Sequence, residues 1–339
     1  MKASRFHSPG GPEALVYEDA PIPEPSQGEV LVKVAACGVN RIDIWLRSGR
    51  YKTALPHILG TDVSGAVAGV ASGVKGLKVG QKVVVYPSLS DGSCCYCEAG
   101  YPNRCANGGL VGAVSDGGYA EYLKVPQANV VDAGSLNVKQ AAAVPVNFGT
   151  AWSAFTERSK VGKGHTVLVW AAAGGLGYAA VQSAKLLGAT VIGVVGGKAK
   201  FGFVMENGAD HVIDHASEDV AARAKELTGG RGVDIAFDAV GGDTWAKSID
   251  SLAKGGTVLS VALTSGATSN VDIGKLYRSE LNLTGVFAFR RETLVDVLRL
   301  VSKGKLRPMI FRELPLQRGK EAHEILESRN VEGKILLVP

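Results

Sequence analysis

The chain has 339 residues, 46% of them hydrophobic and 20% charged, enough for about two domains with complete cores. Lys and Arg outnumber Asp and Glu by 37 to 32, and the resulting charge of +5 is scattered, without a basic run that would point to nucleic acid or a membrane surface. The opening segment MKASRFHSPGGPEALVYEDAP lacks the apolar stretch of a secretory signal, so a cytoplasmic protein is expected.

In chain order, the first 130 or so residues read as β-rich. Short apolar runs at 30–36, 63–70 and 82–86 are bounded by Gly, Pro and Asp, as strands should be. Heavy Gly and Pro punctuation predicts an irregular, barrel-like β domain. An Ala-rich helical stretch over 135–152 marks a domain junction. Residues 166–184 carry no charge and approach the length of a membrane span, but the central AAAGGLG breaks any single helix there. That segment reads instead as a strand (166–170), a turn and a helix (176–187). Strands at 190–195, 211–213, 233–239, 257–262 and 281–289 then alternate with helices at 200–207, 218–227 and 243–252. This alternation predicts an α/β fold with a parallel, doubly wound sheet. A helix at 318–328 and a strand at 334–338 close the chain and are expected to fold back on the first domain.

The turn Ala171–Gly177 follows a strand and opens a helix, the setting that a pyrophosphate requires. Small residues admit the phosphates, and the helix N-terminus offers free N–H groups and partial positive charge. Gly174, Gly175, Leu176 and Gly177 are the cofactor candidates here, although Ala172 stands where the usual fingerprint has its first Gly. A tight turn that binds nothing is the alternative. No carboxylate ends the second strand, where NAD enzymes bond the ribose 2′-hydroxyl. Lys198 and Lys200 stand there instead, suited to a 2′-phosphate and hence to NADPH over NADH, unless they are simply solvated lysines at a helix start.

Four of the five cysteines fall within residues 94–105. Cys94 and Cys97 form a CxxC knuckle, Cys105 follows across a turn, and Asp91 is the choice for a fourth ligand. Four protein ligands make a closed, structural zinc site. Free thiols or a disulfide fit the same spacing. Cys37, far away, reads as a small buried hydrophobe.

Taken together, these pieces resemble the medium-chain dehydrogenase/reductase family of zinc alcohol dehydrogenases and quinone oxidoreductases. The likeness rests on residues 28–34, 38–43, 59–65 and 117–122, the AAAGGLG turn, residues 232–238 and the tail, and so covers essentially the whole chain. It implies a GroES-like β catalytic domain (1–134, completed by 290–339) and a Rossmann domain (135–289). It also implies Thr150, Val240, Ala262 and Phe287 along the cofactor. The departures from the family are as informative. Where alcohol dehydrogenases hold a catalytic zinc, this chain has Asn40, Thr61 and Val146-Asn147; in Asn40, Asp62 and Val146-Asn147 it resembles the zinc-free quinone oxidoreductases. Yet it keeps the metal lobe that those enzymes usually lack.

Without that Lewis acid, hydrogen-bond donors must stabilise the developing oxyanion. Asn40 and Thr61 are the candidates, with Tyr51 as proton donor. Asp43 and Asp62 are expected to hold loops or side chains in place. A reductase of aldehydes, ketones or quinones using NADPH, and reversible towards alcohols, is the first expectation. A conventional zinc alcohol dehydrogenase and a non-enzymatic dinucleotide-binding protein are the alternatives. The family implies a homodimer or homotetramer paired through the edge strand 282–289.

Overall fold

The computed structural model describes all 339 residues, which form two compact units. The first contains Met1–Val146, Ala288–Lys303 and Pro308–Pro339; the second contains Asn147–Phe287 and Gly304–Arg307. The junction therefore falls at Val146, later than the 134 read from sequence. Physically, the short helix Val138–Ala141 belongs to the first unit: the Ser64 hydroxyl bonds the Val138 carbonyl, and Ala142 and Ala143 are buried with Ala36 and Leu336.

The first unit is built on Glu29–Gly38, whose alternation puts Val30, Val32 and Val34 in the core and Lys33 outside. This strand pairs antiparallel with Asp62–Val70 and with Tyr122–Pro126. Near its end it also pairs with Lys334–Val338, so the chain's tail completes this sheet as expected. Val130–Asp132, Lys82–Val85 and Ile310–Pro315 fill out the seven strands, and a three-stranded sheet of Val16–Asp19, Lys2–Phe6 and His57–Ile58 lies in the same unit. The helix Arg291–Ser302 and the strand Ile310–Pro315 were not read from sequence. The helix carries a legible signal, since Leu294, Val297, Leu298 and Val301 recur at helical spacing and are buried.

The second unit is a six-stranded, all-parallel sheet. Its strands lie in the order His211–Asp214, Thr190–Val195, Thr166–Trp170, Val233–Asp238, Leu252–Ser260 and Asn282–Gly285. This is the 3-2-1-4-5-6 order of the Rossmann fold. The central TVLVW is buried along its length, as a strand covered on both faces must be. The last strand is shorter than the expected 281–289, ending at Gly285 before the chain re-enters the first unit at Ala288. No helix is long and apolar enough to cross a membrane.

Gly177 sits in the first turn of the helix Gly175–Leu186, where a methyl group would overlap the Ala171 carbonyl. Gly285 faces open space. Gly177→Ala is therefore expected to cost about 1–3 kcal/mol of stability through overpacking. Gly285→Ala is expected to leave stability within about 0.5 kcal/mol. Denaturant unfolding of the two variants checks the contrast.

Candidate functional site

Within the second unit, the turn after Thr166–Trp170 is fixed by its own backbone. Ala171 adopts φ +52°, the Ala172 N–H bonds Val194, and the Gly174 N–H closes back on Ala171. The helix then starts at Gly175, so the amides of Gly175, Leu176 and Gly177 fall in its first turn, the four-residue stretch whose N–H groups have no partner within the helix. Val240 and Ala262 follow the carboxyl ends of their strands, as does Phe287, which is 76% exposed. Open α/β sheets bind ligands at this end. Thr150 is buried in the short helix Thr150–Ser153. Lys198 and Lys200 form a single 3-10 turn just beyond Val195, entered through Gly197 at φ +98°. Asp214, at the end of the neighbouring strand, is spent holding this turn, its Oδ1 accepting the Gly197 N–H at 2.8 Å. That bond is the main reason its carboxyl lies below the ordinary range.

The first unit brings Asp91, Cys94, Cys97 and Cys105 together, their ligand atoms all within 4.8 Å of one another. Cys94 Sγ lies 3.6 Å from Cys97 Sγ and 3.8 Å from Cys105 Sγ, and Cys97 Sγ lies 3.5 Å from Asp91 Oδ1. A tetrahedral zinc with bonds of ~2.3 Å to sulfur and ~2.0 Å to oxygen requires edges of about 3.8 and 3.5 Å. The donor set fits that ion. Asp91 is itself oriented: Oδ1 accepts the N–H groups of Ser93 and Cys94, and Oδ2 accepts the Asn107 amide at 2.7 Å. These bonds, the Ser93 N–H foremost, hold its carboxyl far below the usual range. Such outer contacts aim a ligand before metal arrives. Cys37 is fully buried, which pushes its thiol well up.

Asn40 begins the helix Arg41–Arg47 and is buried with Thr61, Asp43 and Asp62. At the centre of this group stands Lys334, whose ammonium lies 2.6 Å from Asn40 Oδ1 and 2.6 Å from Asp62 Oδ2. An ammonium only donates, so it fixes the Asn40 carboxamide with oxygen towards Lys334 and nitrogen towards Asp62, 3.0 Å away. Asp62 Oδ1 takes the Val146 N–H at 2.8 Å. Asp43 accepts the N–H of Asn40 at 2.7 Å on one oxygen and that of Gly60 at 3.2 Å on the other. Both carboxylates thus hold loops in place. Burial drives Asp43 up to about 7, against the pull of the Asn40 N–H, the Lys334 charge and the Tyr119 hydroxyl. Thr61 Oγ1 is buried without a partner. Tyr51 is not brought to this group: its ring is 39% exposed, packs edge-on to Trp45 at 6.0 Å, and has no hydrogen bond to the cluster.

Residues 26–135 match the alcohol dehydrogenase GroES-like domain, and residues 175–303 match the zinc-binding dehydrogenase domain. The chain is 34% identical over 346 residues to quinone oxidoreductase 1 of Escherichia coli, across 98% of each protein. The chain belongs to the medium-chain dehydrogenase/reductase family. A crystal structure of an NAD-dependent alcohol dehydrogenase resembles this dehydrogenase/reductase with a TM-score of 0.95 and 36% identity over the whole of both chains. The structure of E. coli quinone oxidoreductase complexed with NADPH gives 0.86 and 32%, again over both whole chains. Like these relatives, this medium-chain dehydrogenase/reductase is an NAD(P)-dependent oxidoreductase.

Lys334 was not singled out from sequence as a site residue. In the sequence it is a tail lysine beside Gly333, and only the pairing of the tail strand with Glu29–Gly38 places it between Asn40 and Asp62. The available signal was its setting, since a lysine beginning the apolar strand KILLV faces burial and must find a counter-charge.

Asp62 is fully buried and Lys334 is 2% exposed. Lys334→Met leaves that carboxylate without a cation and is expected to cost about 3–5 kcal/mol. The double variant Lys334→Met/Asp62→Leu is expected to recover at least half of the loss, as read by thermal and denaturant unfolding.

Proposed function

We propose that this dehydrogenase/reductase transfers hydride from NADPH to an aldehyde, ketone or quinone acceptor, reversibly towards alcohols for the aldehydes and ketones, without a catalytic zinc. Bound NADPH would supply the hydride; the chain's residues bind the cofactor, orient the acceptor and stabilise its oxygen. The observation that carries this reading is Lys334. Its ammonium occupies the oxygen of Asn40, at a position where family alcohol dehydrogenases offer zinc a ligand. A carboxamide already spent on an ammonium, a Thr hydroxyl and no thiolate or imidazole make a poor donor set for zinc. They make a suitable polar environment for a developing oxyanion: a lysine cation and the unpartnered Thr61 hydroxyl, with Asn40 locked in one orientation. Zinc belongs to the lobe in this reading, bound once per chain by Asp91, Cys94, Cys97 and Cys105 and serving structure alone.

Preference for NADPH rests on the turn at Lys198 and Lys200. Residues 196–200 hold no carboxylate, and Asp214 is occupied with the Gly197 amide and so does not compete for a ribose hydroxyl. A complex of a quinone oxidoreductase relative with NADPH agrees with this choice. Asn282–Gly285, the edge strand of the parallel sheet, supports a homodimer or homotetramer built by strand pairing between copies.

NADPH oxidation against a panel of quinones, ketones and aldehydes, together with metal analysis of the same preparation, tests the reading. Turnover with one zinc per chain is expected, whereas two zinc ions per chain would favour a conventional zinc alcohol dehydrogenase. Substituting Asp91→Ala should release the single zinc and lower Tm. For the cofactor, Lys198→Ala/Lys200→Ala is expected to raise the KM for NADPH about ten-fold or more, with that for NADH changed less than about two-fold. Equal effects on both cofactors would sink the assignment of the 2′-phosphate to these lysines.

A further inference from the structure

Behind Asn40 runs a chain of buried polar groups that hydride transfer itself does not use. Arg47, His323, Tyr119 and Asp43 are each at most 2% exposed. Arg47 NH1 lies 3.2 Å from His323 Nδ1, His323 Nε2 lies 3.2 Å from the Tyr119 hydroxyl, and that hydroxyl lies 3.1 Å from Asp43 Oδ2. At the outer end, Arg47 NH2 bonds Glu327 at 2.6 Å.

The direction of every bond is set by Arg47. A guanidinium only donates, so His323 Nδ1 must be the bare acceptor and the imidazole proton must sit on Nε2. That N–H then donates to the Tyr119 oxygen. Tyr119 has one proton left, and it must go to Asp43. Asp43 receives three donors in all: the Tyr119 O–H, the Asn40 N–H and the Gly60 N–H. A protonated Asp43 would add a fourth donor to a site that has no acceptor for it. The arrangement is therefore complete only with a neutral imidazole and an ionised Asp43. Burial and the Arg47 charge agree, lowering His323 to about 3.

Asp43 matters because of what its two oxygens hold. One fixes the backbone of Asn40; the other fixes Gly60, the residue before Thr61. We propose that Arg47, His323 and Tyr119 are positioning residues that keep Asp43 in its carboxylate form and, through it, hold the loops of Asn40 and Thr61 in register. This rests on the reading of Asn40 and Thr61 given above. The other groups facing Asp43 are Lys334, which favours its charge, Asp62, which opposes it, and the neutral thiol of Cys37. With Asp43 at about 7, the clamp is charged above neutrality and discharged below it, so turnover should fall on the acid side.

The test is the pH–rate profile of NADPH oxidation with 1,4-benzoquinone for Tyr119→Phe, His323→Leu, His323→Gln and Asn40→Ala. In Tyr119→Phe and His323→Leu, kcat should drop about ten-fold and the acid limb should move up by about one pH unit, with the KM for NADPH within about two-fold of wild type. His323→Gln keeps an acceptor for Arg47 and a donor for Tyr119, so it should retain the wild-type limb. An unmoved acid limb in Tyr119→Phe beside a crippled Asn40→Ala overturns this inference alone. Wild-type turnover in Asn40→Ala overturns the reading of Asn40 instead. The infrared carboxylic-acid band of Asp43, identified by its loss in Asp43→Asn, gives a readout free of activity: its midpoint should rise in whichever of Tyr119→Phe and His323→Leu folds, and an unchanged midpoint also overturns the inference.

Discussion

An ammonium and a carboxylate, both removed from water, meet at Lys334 and Asp62, and much of the first unit is arranged around that pair. Two such charges tolerate burial only when their remaining hydrogen-bonding capacity is met. Asn40 and the Val146 amide meet it, and in doing so they bring the helix start at residue 40, the strand at 62–70 and the segment before the junction to one point. The tail strand supplies the cation. The geometry at Asn40 is thus a consequence of satisfying a buried lysine, and it cannot be altered without disturbing three distant stretches of sequence.

The same unit contains a second, longer charge separation. Arg47 and Asp43 face each other across a neutral histidine and a neutral tyrosine, with Glu327 balancing the arginine at the surface. The two systems share Asn40: Lys334 and Asp62 set its side chain, while Asp43 sets its backbone. Orientation of one carboxamide is therefore over-determined, which is how a protein holds a polar group for chemistry rather than leaving it to rotate. The metal lobe obeys the same rule on a smaller scale, where Ser93, Cys94 and Asn107 aim the Asp91 carboxylate.

Local patterns made most of the fold legible. Period-two apolar runs gave strands such as 30–36, and the charge-free segment at 166–184 resolved into strand, turn and helix because AAAGGLG cannot continue a helix. The zinc-like quartet was also local, since fifteen residues contain all four donors and the knuckle spacing limits their geometry. What sequence did not yield was non-local. Lys334 and His323 acquire meaning only through partners 204 to 294 residues away, which no spacing rule reaches. Tyr51 was attractive as a nearby phenol, yet the turn that follows the helix Arg41–Arg47 packs its ring onto Trp45. The boundary at Val146 was likewise set by where Ala142 and Ala143 pack, not by the composition shift that precedes them.

The pairing of Lys334–Val338 with Glu29–Gly38 also orders events during synthesis. The second unit is nearly contiguous, from Asn147 to Phe287, and can close while the ribosome is still translating the C-terminal residues. The first unit cannot. Its sheet lacks a member, and Asp62 lacks a cation, until residues 334–338 have left the exit tunnel. Until then the end of Glu29–Gly38 and an uncompensated carboxylate stay open, so the nascent chain passes through a long interval in which Asp62 waits for a lysine 272 residues further on, and in which chaperone contact with that edge would matter most.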